Sequence, residues 1–364
     1  MSWDDVQSAA DRVAGSIAVC AIGTSLDCTR WSFPGAQSVD IADIVDGGAG
    51  SSTHRDGVTD KQGSEIATAT AADTDTSNPP NTVGASATPA AVVVVLGSAV
   101  FQRDHERDGS DEQPHPADGS RGSKRATDDS HCSDDESGTI AAALETLTAI
   151  AALETFVIAV VPAGSVREED VDAVAARVDG LLLAGGASDK AADTEAVAAT
   201  AELLSIVGRP GFVNLDLTDA ETVFAAGVAA IATGIAPRSS PEQAVSAAFS
   251  ALPEPVDSSD AQAALVDVAV DPATSIAAAT DAVAAVRDQI DPAANVIWGG
   301  AVDDEATDEI RVQIVIAGVR YAPPLRGGDP CPRCGSPLSV FALGTNETLS
   351  CDACGYSGIG VRRE

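Results

Sequence analysis

Aromatic side chains are scarce in this chain of 364 residues: seven Phe, three Trp and two Tyr, beside a single Met. Lysine is scarcer still, occurring only at Lys61, Lys124 and Lys190. Basic residues number 21 against 55 acidic ones, a formal net charge of −34. That balance argues against sequence-independent nucleic-acid binding, which needs a basic surface. No apolar run approaches the roughly 20 residues of a membrane span. The opening MSWDDVQSAADRV is acidic and polar, unlike a secretory leader. A cytoplasmic protein with no membrane span is expected.

Histidine is absent wherever the chain can fold. His54, His105, His115 and His131 all fall in two stretches that lack core-forming side chains. Residues 47–91 hold only Val58, Ile66 and Val83 as bulky aliphatics, and residues 102–138 hold none. Neither stretch offsets its own ordering entropy, so both are expected to be disordered. Ser–His–Asp and Cys–His catalysis, and metal sites built on histidine, lose their key side chain.

Ala, Val, Asp and Thr fill the chain instead. Acidic and lysine-poor, it suits a cytosol at molar salt, where the Debye length is about 3 Å and carboxylate repulsion is screened. The composition reads as halophilic and archaeal. Short aliphatic runs alternate with Ala-rich helical ones, the pattern of an α/β fold. Strands are expected at 16–22, 92–96, 156–161 and 180–184, with helices at 139–153, 168–178 and 194–206. After a loop at 211–219 come strands at 228–235, 264–270, 295–302 and 309–317, with helices at 241–252 and 275–290. The second set makes a two-layer α+β sandwich.

Seven cysteines in a cytosolic chain argue for metal binding rather than disulfides. Cys331-Pro-Arg-Cys334 and Cys351-Asp-Ala-Cys354 are two knuckles 16 residues apart, the pattern of a four-cysteine zinc ribbon. Four thiolates close the coordination sphere, so the zinc is expected to be structural; a redox dithiol pair is the alternative. Strands are expected at 338–343 and 347–350. From Tyr321 onward four Arg balance four Asp or Glu, which suits protein docking better than nucleic-acid binding. Cys20 is expected to be buried in a strand, and Cys28 to be free.

Three segments resemble the FtsZ/tubulin superfamily, and FtsZ in particular: RPGFVNLDLTDAE at 209–221, AAGVAAIATGIA at 225–236 and DPAANVIWGGAVDDEATDEIRV at 291–312. The resemblance implies a degenerate nucleotide-binding-type domain (residues 1–46, 92–101 and 139–208), a C-terminal α+β domain (209–320), and an appended linker and zinc ribbon (321–364). Asn214, Asp216 and Asp219 fall on the family's synergy loop, which completes the GTP site of the neighbouring subunit. Carboxylates and an amide there orient the attacking water. A helix N-cap is the plainer reading of the same residues.

The first half departs from the family. Its glycine-rich phosphate loop, in which backbone N–H groups converge on phosphate, is missing. Gly97 and Gly138 flank the place where it would stand, split by the 102–138 insert with 11 acidic and five basic residues. GTP binding is therefore doubtful. The expected function is non-catalytic: binding or regulating a conventional FtsZ-family filament, with another protein partner also open. The rival readings are a divergent GTPase on rebuilt loops and a zinc-ribbon adaptor that uses the fold as scaffold.

Overall fold

The computed structural model describes residues 17–23, 36–41, 44–45, 89–101, 139–164, 166–185, 191–343 and 346–359. The expected disordered segments, apart from residues 89–91, lie outside that set, as do all four histidines, Cys28 and Gly138.

A nine-stranded sheet forms the body. Its strands are β1 (Ile17–Ile22), β2 (Ala36–Ser38), β3 (Ala91–Leu96), β4 (Phe156–Pro162), β5 (Gly180–Ala184), β6 (Ala229–Pro237), β8 (Ala263–Val270), β9 (Asn295–Val302) and β10 (Glu309–Ala317). Their order is β2-β1-β3-β4-β5-β6-β10-β8-β9. Neighbours from β2 to β6 are parallel, as are β8 and β9; β10 runs antiparallel to both β6 and β8. The sheet thus continues across residue 209, joined where Leu182 and Leu183 pair with Ala229 and Ala230.

Helices cover both faces. α1 (Ile140–Ala151), α2 (Glu168–Ala175), α5 (Pro241–Ser250) and α6 (Ile276–Arg287) pack on one. α3 (Ala192–Gly208) and α4 (Leu217–Phe224) pack on the other. This explains the unbroken aliphatic runs: β3 (AVVVVL) and β5 (GLLLA) are buried at every residue. The expected packing of two helices on the second half of the sheet is present in α5 and α6, with α4 and the end of α3 added behind it. Gly234 lets α5 approach closely, since a Cβ there would meet the backbone of Ala244 and Ala248.

The long strands and helices of the expected scheme fall within a few residues of their sequence positions, and β9 and β10 match at both ends. α4 occupies part of the stretch expected as loop. Short β2, and the pair β7 (Val256–Asp257) and β11 (Arg320–Tyr321), were not expected. The C-terminal module has three antiparallel strands, β12 (Ser339–Leu343), β13 (Asn346–Ser350) and β14 (Ser357–Ile359). Cys20 is fully buried in β1.

Candidate functional sites: a carboxylate loop, closed strand ends and a four-cysteine centre

The segment between α3 and α4 is held from both sides. Arg209, directly after α3, pairs with buried Asp267 on β8. Burial raises the Asp267 carboxyl above its ordinary range against the pull of Arg209 and Arg311. Asp267 sits in register with Gln313 and Gly299, and Gln313 with Thr233 on β6. Thr233 in turn donates to Glu202 on α3 at 3.1 Å. Burial also raises Glu202, opposed by that hydroxyl and by Arg311.

Val213 exchanges two backbone hydrogen bonds with Gly300, at 3.2 and 2.9 Å, so the loop adds a bridge to the outer edge of β9. This explains the paired glycines of IWGG. A Cβ at Gly299 would strike Leu215, and one at Gly300 would strike Phe212. Gly211 is equally constrained, because its Cβ would enter the Gly300 carbonyl.

On that base stand Asn214, Asp216 and Asp219. Asn214 Oδ1 accepts from Gly211 N at 2.7 Å. Asp216 is the N-cap of α4 and forms a capping box with Asp219: each side chain accepts the other's backbone N–H at 3.0 Å. Capping uses one oxygen of each carboxylate and leaves the second for other work. Asn214 and Asp216 are exposed and Asp219 half-buried, beside exposed Phe212 and Val213. The loop and helix-cap readings are therefore compatible in this geometry.

The C-terminal ends of β1, β3, β4 and β5 form the edge where doubly wound sheets bind ligands. Side chains of the chain itself fill part of it. Gly97 is buried and donates to the Ile22 carbonyl at 2.9 Å. The 3-10 turn Ser98–Phe101 follows, with Val100 and Phe101 buried. Val100 packs on Gly23, which has a positive φ of 61°. The Ser98 N–H, facing the first turn of α3, is taken by Asp193 Oδ1 at 2.6 Å. Gly185, after β5, packs against Glu195. Two carboxylates thus border an edge where a phosphate-binding loop would present free amides. The sequence placed the start of this helix at residue 194, which left Asp193 outside it; the structure puts Asp193 in the first turn of α3.

Cys331, Cys334, Cys351 and Cys354 bring their four sulfurs within 4.8 Å of one another. Two of the separations are 3.5 and 3.6 Å. A regular tetrahedron with metal–sulfur bonds of about 2.3 Å has edges of about 3.8 Å, so the set fits a four-thiolate metal centre. Both knuckles turn alike. Gly335 N donates to the Cys331 carbonyl at 2.8 Å, and Gly355 N to that of Cys351 at 2.9 Å. Those glycines have φ of 74° and 69° with open space around them, so backbone conformation, not crowding, selects them. Arg333 N donates to Cys331 Sγ at 3.4 Å. The backbone N–H and hydroxyl of Ser336 draw Cys334 down to about 6, while burial pushes Cys354 up to about 12. Cys331 and Cys351 are buried with Leu338 and Leu349 in a core of their own.

Comparisons with known proteins agree with this architecture. Residues 227–320 match the C-terminal domain of the FtsZ family. Cell division protein FtsZ 1 of Halobacterium salinarum is 38% identical over 120 residues, 32% of this chain and 30% of that protein. Cell division protein FtsZ of Haloferax mediterranei is 39% identical over 120 residues, 32% of each chain. The matched region spans about a third of these relatives' length. An empty FtsZ dimer structure from M. jannaschii aligns with a TM-score of 0.54 at 16% identity, covering 91% of this chain and all of that one. Residues 227–320 therefore resemble archaeal FtsZ in sequence, and the large sheet with its helices shares the FtsZ fold. Among the described residues no helix is long and apolar enough to cross a membrane.

Proposed function

We propose that this FtsZ-like protein does not turn over nucleotide itself and instead binds a conventional FtsZ-family filament through the Arg209–Asp219 loop. The observation that carries the reading is the Asp193 carboxylate on the Ser98 N–H. A backbone amide already bound to an anionic side chain is lost to phosphate, and the carboxylate repels a triphosphate. Val100 against Gly23 adds to the closure. The carboxylate loop, in contrast, is anchored and accessible.

A subunit of this kind offers one of two filament faces. Its loop docks on the nucleotide-bearing face of a conventional subunit, and its own opposite face presents no nucleotide to the next. It caps one end of the filament and acts below stoichiometry. The free oxygens of Asp216 and Asp219 then orient water for the partner's hydrolysis. The four-cysteine module binds one structural zinc, the thiolates supplying a closed coordination shell.

The test is titration into polymerising FtsZ from a halophilic archaeon in molar KCl, following filament length and GTP turnover. Shorter filaments at substoichiometric ratio are expected, and Asp216→Ala should lower the stimulated turnover more than the binding. No change in length or turnover at equimolar ratio overturns the cap. Micromolar GTP affinity by calorimetry would return the chain to the GTPases.

A further inference from the structure

The segment between body and ribbon, rich in Pro and Gly, is bound to the body along its length. Tyr321 is buried, its hydroxyl within 2.6 and 2.7 Å of the carbonyls of Ala163 and Val166. Arg326 donates to the Gly164 carbonyl. Asp329 pairs with Arg167 at 2.6 Å and also accepts the Arg326 N–H at 2.6 Å. Its side chain is only 14% exposed, so molar salt screens this pair less than a surface one. All the receiving groups lie between the end of β4 and the start of α2, where Arg167 is the N-cap residue.

Asp329 is equally fixed on the ribbon side. Its carbonyl accepts from Leu338 N at 2.9 Å, and the Leu338 carbonyl accepts from Gly328 N at 2.8 Å. Two residues on, Cys331 N donates to the Ser336 carbonyl at 2.8 Å. The first cysteine knuckle thus sets the position of Asp329. So small a core, two cysteines and two leucines with Leu325 and Tyr356 at its margin, depends on metal for its folding energy.

We infer that the four-cysteine centre is a metal-dependent latch on the C-terminal end of β4: loaded, it holds Asp329 against Arg167; empty, it releases the turn that joins β4 to α2. The latch rests on the metal reading of the four cysteines. It makes one loop at the C-terminal strand ends of the sheet responsive to metal supply, with the contacts of Tyr321 keeping the ribbon close for reattachment.

The experiment is hydrogen exchange on the full chain in molar KCl, as purified and after a strong zinc chelator, with metal content measured on the same samples. Exchange in the peptide Pro162–Asp172 should quicken by about tenfold on metal loss, while a peptide within β8 stays unchanged. Arg167→Gln, which leaves the ribbon sequence intact, should quicken the same peptide with metal retained, and Asp329→Asn should do so from the ribbon side. Unchanged exchange of Pro162–Asp172 in metal-depleted protein, or in metal-loaded Arg167→Gln, overturns the latch and leaves the metal reading standing. Protein that carries no metal and still protects β13 overturns both.

Discussion

Asp271, at the end of β8, binds four groups from three segments. It accepts from Ala273 N at 2.7 Å, Thr274 Oγ1 at 2.9 Å and Asp308 N at 2.9 Å, with Arg238 Nη1 at 3.5 Å. Burial alone raises its carboxyl, but the bonds from Thr274, Ala273 and Asp308 and the charge of Arg238 outweigh this and hold it below the ordinary range. A folded-state value below the unfolded one contributes stability that is complete above about pH 4 and fades as pH falls through the folded value. Asp271→Asn replaces one acceptor oxygen with a donor amide facing donors. It should lower the melting temperature at pH 7 by several degrees, and the gap to wild type should close in a pH series run below about pH 4.

Gly211 offers a different single-residue test. Its Cβ would collide with backbone, which cannot swing aside as a side chain can. Gly211→Ala should destabilise by about 1–3 kcal/mol in urea denaturation. It should also detach the loop from β9, costing the effect on FtsZ filaments at temperatures where the body remains folded. Such residues mark the limit of reading a sequence. The four cysteines were legible from their spacing, whereas Asn214, Asp216 and Asp219 stood out only through the family resemblance of the segment around them. Asp193 was not legible: its bond to Ser98 joins residues 95 apart, and no local pattern encodes that distance.

At the level of elements, β1, β3, β4 and β5 were legible because strands covered on both faces read as unbroken aliphatic runs. α4 was legible only at its start, where a helix N-cap is the plainer reading of Asn214, Asp216 and Asp219 and Asp216-x-x-Asp219 has capping-box spacing. Its eight residues carry too little periodicity to mark its extent, and part of it falls in the stretch expected as loop. The ribbon was legible from its knuckles, while its third strand, three residues long, was not. Metal analysis should find one zinc ion per chain in the wild type and none in Cys334→Ser. Strands β12–β14 should lose exchange protection while the large sheet keeps its far-ultraviolet circular dichroism.

Across the whole molecule, the sequence indicated two α/β units followed by a linker and ribbon, and the strands of the two units join in one sheet. Strand order depends on pairing between distant segments, and β10 entering between β6 and β8 leaves no mark on any one of them. The sheet is not equally strong throughout. β6 and β10 are paired over nine residues, and β8 and β9 over eight, but β5 and β6 meet over two. Across that junction, Phe156 and Phe224 contact edge to face at 6.4 Å, and Phe224 rests on Gly180. Tension applied between the two ends of the sheet would meet its fewest strand-to-strand bonds there. The two halves are therefore held together less by strand pairing than by side chains that span the seam: the Phe156–Phe224 contact, the Thr233–Glu202 hydrogen bond, the Arg209–Asp267 pair and the Tyr321 hydroxyl.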